Sequence, residues 1–232
     1  MFRLRNPDVV IPQREHARLA GLIAAQWGNA AFDRPSMDHA AFVAGVTLHD
    51  WHYADADTFP LDDLDDGLGD PARQAEWIEI MRRGCDPVTA DPVADCVAAH
   101  HVRRLLAREE SAVAADLRAR LDERISRRID ESAPVAADYQ WADRITALCD
   151  LTAFDLFREG VREREVRVHP RRGSAVEITM RVTTTLAAQA RLDPWPLAVD
   201  EMIVPMVAFE RAGYPSRLAP RVVLVRVARA TD

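Results

Sequence analysis

The sequence contains no lysine: all 30 of its basic residues are arginine. That excludes a lysine Schiff base, a pyridoxal-phosphate lysine and the lysine of a phosphate-binding P-loop. Glycine is scarce, 9 in 232 residues, and none falls into G-x-G-x-x-G or G-x-S-x-G order. A dinucleotide fingerprint and a nucleophile elbow are therefore both missing. The three cysteines, Cys85, Cys96 and Cys149, form no C-x-x-C pair, which fits reduced thiols in a core and a cytoplasmic setting. No apolar run approaches the roughly 20 residues of a membrane-spanning helix, and residues 1–12 carry no secretory signal. With 37 acidic against 30 basic residues the net charge is −7, which disfavours long nucleic acid as a partner and leaves room only for local phosphate contacts.

What is present is 48% hydrophobic and 29% charged, the composition of a soluble globular chain long enough to bury a sizeable core. Two regimes meet near Gly160. Before it, apolar residues recur at three and four, predicting helices over 13–27, 36–52, 72–83, 91–109, 112–131 and 136–159. Ser36 is the expected N-cap of the second, and Gly28-Asn29 the stop of the first. Residues 53–71, rich in aspartate, proline and glycine, read as an acidic loop. After Gly160, alternating β-branched residues predict strands over 165–169, 176–183, 202–209 and 222–227. The expected fold class is mainly α (α+β): a helical core over 1–160, with a small antiparallel β appendage over 161–232. The appendage packs on the core or pairs strands between the subunits of a homodimer.

Chemistry concentrates in the histidines. His16 shares a helix face with Leu19 and Ile23, and His49 shares one with Phe42 and Val46, so both face inward. A lone inward imidazole is commonly a satisfied core residue; two on consecutive helices make sense when something such as a metal ion satisfies them together. Asp50 follows His49 directly and can reach the same point from another side. His100 and His101 lie near the apolar edge of a later helix, where a surface pair is the competing account. Asp143 and Asp150 share a stripe with Ala147 and Phe154, and an inward carboxylate needs a cation or donors.

A histidine on one helix, a His-Asp doublet 33 residues later and an aspartate in an Ala-Asp-Arg-Ile context resemble the HD-domain superfamily of metal-dependent phosphohydrolases. QREHARLAGLIAAQWGN at 13–29 and RLDPWPL at 191–197 are similar to a bacterial branch of that superfamily whose function is unknown. The resemblance covers most of the chain. It implies an HD-type helical core in which His16, His49, Asp50 and Asp143 hold a divalent metal, with Asp150, one heptad on, as the alternative last ligand. His100 or His101 would serve a second metal. Two imidazoles and two carboxylates suit Mn, Fe, Ni, Co or Zn better than hydrated Mg. One or two such ions would activate a bound hydroxide on a phosphomonoester or phosphodiester of a nucleotide or other small molecule. Arg18, Arg104 or Arg144 could grip the phosphate.

The chain departs from the family around the doublet. It reads His49-Asp50-Trp51-His52-Tyr53 where the branch has a glycine and a tryptophan, and Tyr53 stands where some members carry a catalytic glutamate. Asp55 is then the candidate general acid, with Asp57 beside it and a solvated acidic loop as the competing account. Two readings follow: a phosphohydrolase in which His49, Asp50 and Asp55 are catalytic, or a non-catalytic HD module that binds metal, nucleotide or a partner protein. A purely structural helical protein with incidental histidines is the third.

Overall fold

The computed structural model describes residues 2–4, 9–53, 74–157, 161–185 and 188–230. Two short strands, β1 (Phe2–Leu4) and β2 (Val9–Ile11), lead into α1 (Gln13–Ala25) and α2 (His39–Thr47). Four more helices follow: α3 (Gln74–Gly84), α4 (Pro92–Leu105), α5 (Ala112–Asp130) and α6 (Ala136–Asp155). The chain ends in β3 (Arg162–Val168), β4 (Ile178–Thr185), β5 (Gln189–Asp193), β6 (Glu201–Glu210) and β7 (Pro220–Arg229). Helix starts obey local chemistry. The side chains of Asp38, Asp91 and Ser111 accept the backbone N–H three residues on, at 2.8, 2.9 and 3.2 Å. The cap of α2 is thus Asp38 and not Ser36, and the helix begins three residues later than its apolar spacing suggests.

The expectation of a mainly helical protein with a small β appendage is overturned. Helix makes up 46% and strand 23% of the described chain, a mixed α+β fold built on one curled half-barrel sheet. Strand order is β1-β2-β6-β7-β5-β4-β3, antiparallel throughout except for the parallel β5–β7 pair. The N-terminal strands join the sheet through β2 and β6, with Val9 opposite Glu210. Sequence patterning hides β2 because its three residues are all buried and do not alternate. Where β2 ends, α1 takes over the same flank of β6: the Glu15 carboxylate accepts from Val207 N–H at 2.8 Å, and Arg18 donates to the Pro205 carbonyl at 2.6 Å.

One face of the sheet, with Val182, Leu192, Met206 and Val225, is buried in the common core. On the other, Ile203, Val207, Val222 and Leu224 are exposed. The stretches 13–29 and 191–197 meet in space. Trp27 and Leu197 form a β-bridge, and Asn29 Nδ2 donates to the Trp195 and Leu197 carbonyls at 2.9 and 3.2 Å. Gly28, at φ +109°, provides the left-handed turn that ends α1 there. α6 is tied to the sheet by Trp141 Nε1, which donates to the His169 carbonyl at 2.9 Å, and by the Asp155–Arg164 ion pair.

Candidate metal centre

Three helices cross closely because glycine stands at their contacts. A Cβ at Gly21 of α1 would lie 2.0 Å from Thr47 Oγ1, and one at Gly45 of α2 would lie 2.7 Å from the Ala94 carbonyl oxygen of α4. That approach brings together His16 from α1, His49 and Asp50 from the turn after α2 and His101 from α4, and the packing of α6 on α1 and α4 adds Asp150, all buried. α2 ends at Thr47, and the His49 ring caps it: Nδ1 donates to the Val46 carbonyl at 2.5 Å.

The side chains converge on two carboxylates. Asp150 Oδ1 is 3.1 Å from His16 Nε2 and 3.5 Å from His49 Nε2. Asp50 Oδ2 is 3.3 Å from His16 Nε2, 3.4 Å from His49 Nε2 and 2.7 Å from the donating Gln13 amide. Asp50 Oδ1 is 3.0 Å from His101 Nε2.

Electrostatics follow from that crowding. Burial disfavours both charged carboxylates, but the surrounding histidines more than offset it and hold Asp50 and Asp150 well below the usual carboxylate range. Burial likewise opposes the charged forms of His16 and His49. The two carboxylates reverse that and raise both rings, His49 to about 10. The pocket is therefore one that favours a cation. His101 moves the other way, lowered by burial and by the neighbouring His49 charge.

His16, His49, Asp50 and Asp150 could hold a metal ion: each offers one ligand atom, and all four atoms lie within 4.8 Å of one another. The donor set passes a test in the structure itself. A carbonyl can only accept, so His49 carries its proton on Nδ1 when neutral, and the lone pair on Nε2 points at two carboxylate oxygens. Nε2 has no hydrogen-bond partner among the described residues. Three electron-pair donors facing one another call for positive charge between them, supplied by the proton that His49 holds without metal or by a metal ion that displaces it. Contacts of 3.1–3.5 Å also match donors about 2.1 Å from a shared transition ion, which stand roughly 3.0–3.4 Å apart.

Of the expected ligands, His16, His49 and Asp50 are brought together, and Asp150 completes the set. Asp143 is not in the cluster; it accepts from Arg104 Nε at 3.2 Å. The two aspartates share one stripe, and the packing of α1 against α6 brings the later one to His16. His100 stacks on Tyr139 with ring centroids 6.1 Å apart, and burial lowers its pKa. Arg104 reaches the cluster, with Nη1 3.7 Å from Asp150 Oδ2. Arg18 pairs with Glu15 and with β6, and Arg144 is exposed on α6. Asp55 and Asp57 lie outside the described residues.

Sequence reasoning missed Gln13 and His52. Gln13 stands one turn before His16, a spacing that could have revealed it. His52 is buried with neither ring nitrogen hydrogen-bonded among the described residues, and burial holds it neutral, its pKa lowered to about 3.

Among the described residues no helix is long and apolar enough to cross a membrane. The sequence profile of a family described as "Protein of unknown function (DUF3891)" matches residues 4–209. No curated protein and no solved structure matches the chain.

Proposed function

The chain belongs to the DUF3891 family, and we propose that this member is a cytoplasmic, metal-dependent phosphohydrolase of HD type acting on a small phosphorylated molecule. The observation that carries the reading is the buried His49 Nε2, aimed at Asp50 and Asp150 with no hydrogen-bond partner among the described residues, an arrangement that fits a divalent cation in place of a proton. His16, His49, Asp50 and Asp150 would hold the ion, and the two imidazoles favour Mn, Fe, Co, Ni or Zn over hydrated Mg. When bound, such an ion supplies Lewis acidity that activates water and polarises a phosphoryl oxygen.

The protein's own groups supply the rest. Asp50 and Asp150 neutralise the cation, and the His49–Val46 bond fixes which ring nitrogen faces it. Arg104, partly exposed beside Asp150, offers guanidinium N–H groups to a phosphoryl anion. Burial of His16, His49 and Asp50 keeps bulk water from competing for the donors.

The test is metal content by inductively coupled plasma mass spectrometry on untagged protein, beside His49→Ala, followed by hydrolysis of p-nitrophenyl phosphate and its bis ester. Wild type should retain about one or two equivalents of a transition metal and cleave at least one ester; His49→Ala should do neither. One observation favours a second reading, a binding module without turnover: Tyr53 stands where the HD resemblance would put a general acid, and burial, first, with the Asp50 charge raises its pKa, so the phenol holds its proton too tightly to serve as that acid. That reading gives metal retention without ester cleavage.

A further inference from the structure

We infer that His101 is a positioning residue for Asp50 and not a metal ligand, standing at the inner end of a hydrogen-bonded chain that runs Asp143, Arg104, His101, Asp50. The inference rests on the metal reading above and concerns which residues serve that site.

The chain has a fixed direction. A guanidinium can only donate, so Arg104 Nη2, 2.9 Å from His101 Nδ1, makes that nitrogen an acceptor. A neutral imidazole that accepts at Nδ1 carries its hydrogen on Nε2. His101 Nε2 lies 3.0 Å from Asp50 Oδ1 and donates to it. Both ring nitrogens are then engaged, and no lone pair on His101 is left for an ion. At the outer end, Asp143 Oδ1 accepts from Arg104 Nε at 3.2 Å, which orients the guanidinium.

The consequence falls on Asp50. Its Oδ1 is held by His101 and its Oδ2 by the Gln13 amide at 2.7 Å, so the carboxylate is locked from both sides with Oδ2 toward His16 and His49. Groups of this kind, one bond removed from an ion, orient its ligands and raise their basicity. The chain also gives Asp143 a role. It sits seven residues before Asp150 on the same helix, about 10 Å along the axis, and acts through Arg104.

The experiment is Co²⁺ binding to metal-free, full-length protein, followed by the visible absorption bands of the ion, for wild type, His49→Ala, His101→Gln, His101→Ala and Arg104→Met. A glutamine at 101 can accept from Arg104 through its carbonyl and donate to Asp50 through its amide. The expected result is His101→Gln within about threefold of wild-type affinity, and His101→Ala and Arg104→Met each weaker by about 10–100-fold, all with unshifted bands. The double variant His101→Ala/Arg104→Met should be no weaker than the worse single one, because both cut the same chain.

If His101→Gln loses as much affinity as His49→Ala, or moves the Co²⁺ bands, His101 is a ligand and the inference falls. Unchanged affinity in Arg104→Met removes the outer link and overturns it equally. A wild-type protein that takes up no Co²⁺ overturns the metal reading itself, and this inference with it. Circular dichroism melts identify any variant that fails to fold. Arg104 is partly exposed, so Arg104→Met and the near-isosteric His101→Gln keep the test decisive if His101→Ala is lost.

Discussion

His16 Nε2 and Asp150 Oδ1 stand 3.1 Å apart although 134 residues separate them in the chain. The contact joins α1 to α6 at a buried point, and it selects Asp150 over the otherwise similar Asp143 as the partner of the histidine pair.

Removing the two aspartates separates their roles. Asp150→Ala should abolish stoichiometric metal retention, while Asp143→Ala, whose partner is Arg104, should weaken it by about 10-fold or more without abolishing it. Metal analysis after gel filtration reads both; equal loss in the two variants would refute the assignment of Asp150.

Metal-free protein should lose stability as the pH rises from 6.5. His49 has a folded pKa of about 10 against 6.5 unfolded, so over that window the native state holds the extra proton and stability falls with increasing pH. His52 acts in the opposite direction. With a folded pKa of about 3, it lets the unfolded chain bind more protons between pH 3 and 6.5, so stability also falls on acidification. Thermal melts across pH 4–10 in chelator should therefore peak near pH 6.5.

Metal uptake must displace the His49 proton, so Co²⁺ affinity should rise with pH by about tenfold per unit for each proton released, up to the folded pKa. Calorimetry in buffers of different ionisation enthalpy counts those protons. Zero release would mean the lone pair on His49 is not used.

Asp95 is fully buried on α4 and accepts from Arg124 Nε at 3.0 Å and from Arg128 Nε at 2.7 Å, both on α5, and from the Val88 N–H at 2.8 Å. Asp95→Ala would strand the buried Arg124 charge and should cost about 3–5 kcal/mol in urea unfolding. A loss below about 1 kcal/mol would show that the two arginines find water or other acceptors instead.

Gly45→Ala should destabilise the protein by about 1–3 kcal/mol, since the added methyl meets the Ala94 carbonyl and the Val97 side chain at 2.7 Å. It should also weaken metal retention, because moving α2 off α4 separates His49 from His101, whose ring centroids are 4.4 Å apart.

Helix existence was legible because the apolar period is local: α4, α5 and α6 fall where the spacing places them, within a few residues. The inward face of His16 was legible for the same reason; His49 is buried too, but in the turn after α2 and not on the helix its spacing predicted. The β content was not. β2 is a continuous apolar triplet with no alternation, and its partner β6 lies some 200 residues on, so nothing near it in sequence announces a strand. β5 is absent from the predicted strands: it is only five residues long, and Pro194 follows it directly.

What the sequence determined by itself is which residues could do chemistry: the arginine-only basic set, the inward histidines, the His-Asp doublet and two aspartates on one stripe. Periodicity fixes a residue's direction about its own helix axis and nothing more. Only the tertiary structure decided which end of the Asp143–Asp150 stripe meets His16, and which of His100 and His101 turns to Asp50 and which to Tyr139. Those choices depend on how α1, α4 and α6 rotate and slide against one another. The close crossings at Gly21 and Gly45 set α1 against α2 and α2 against α4, the placement of α6 rests on side-chain packing across the core, and no local pattern encodes either.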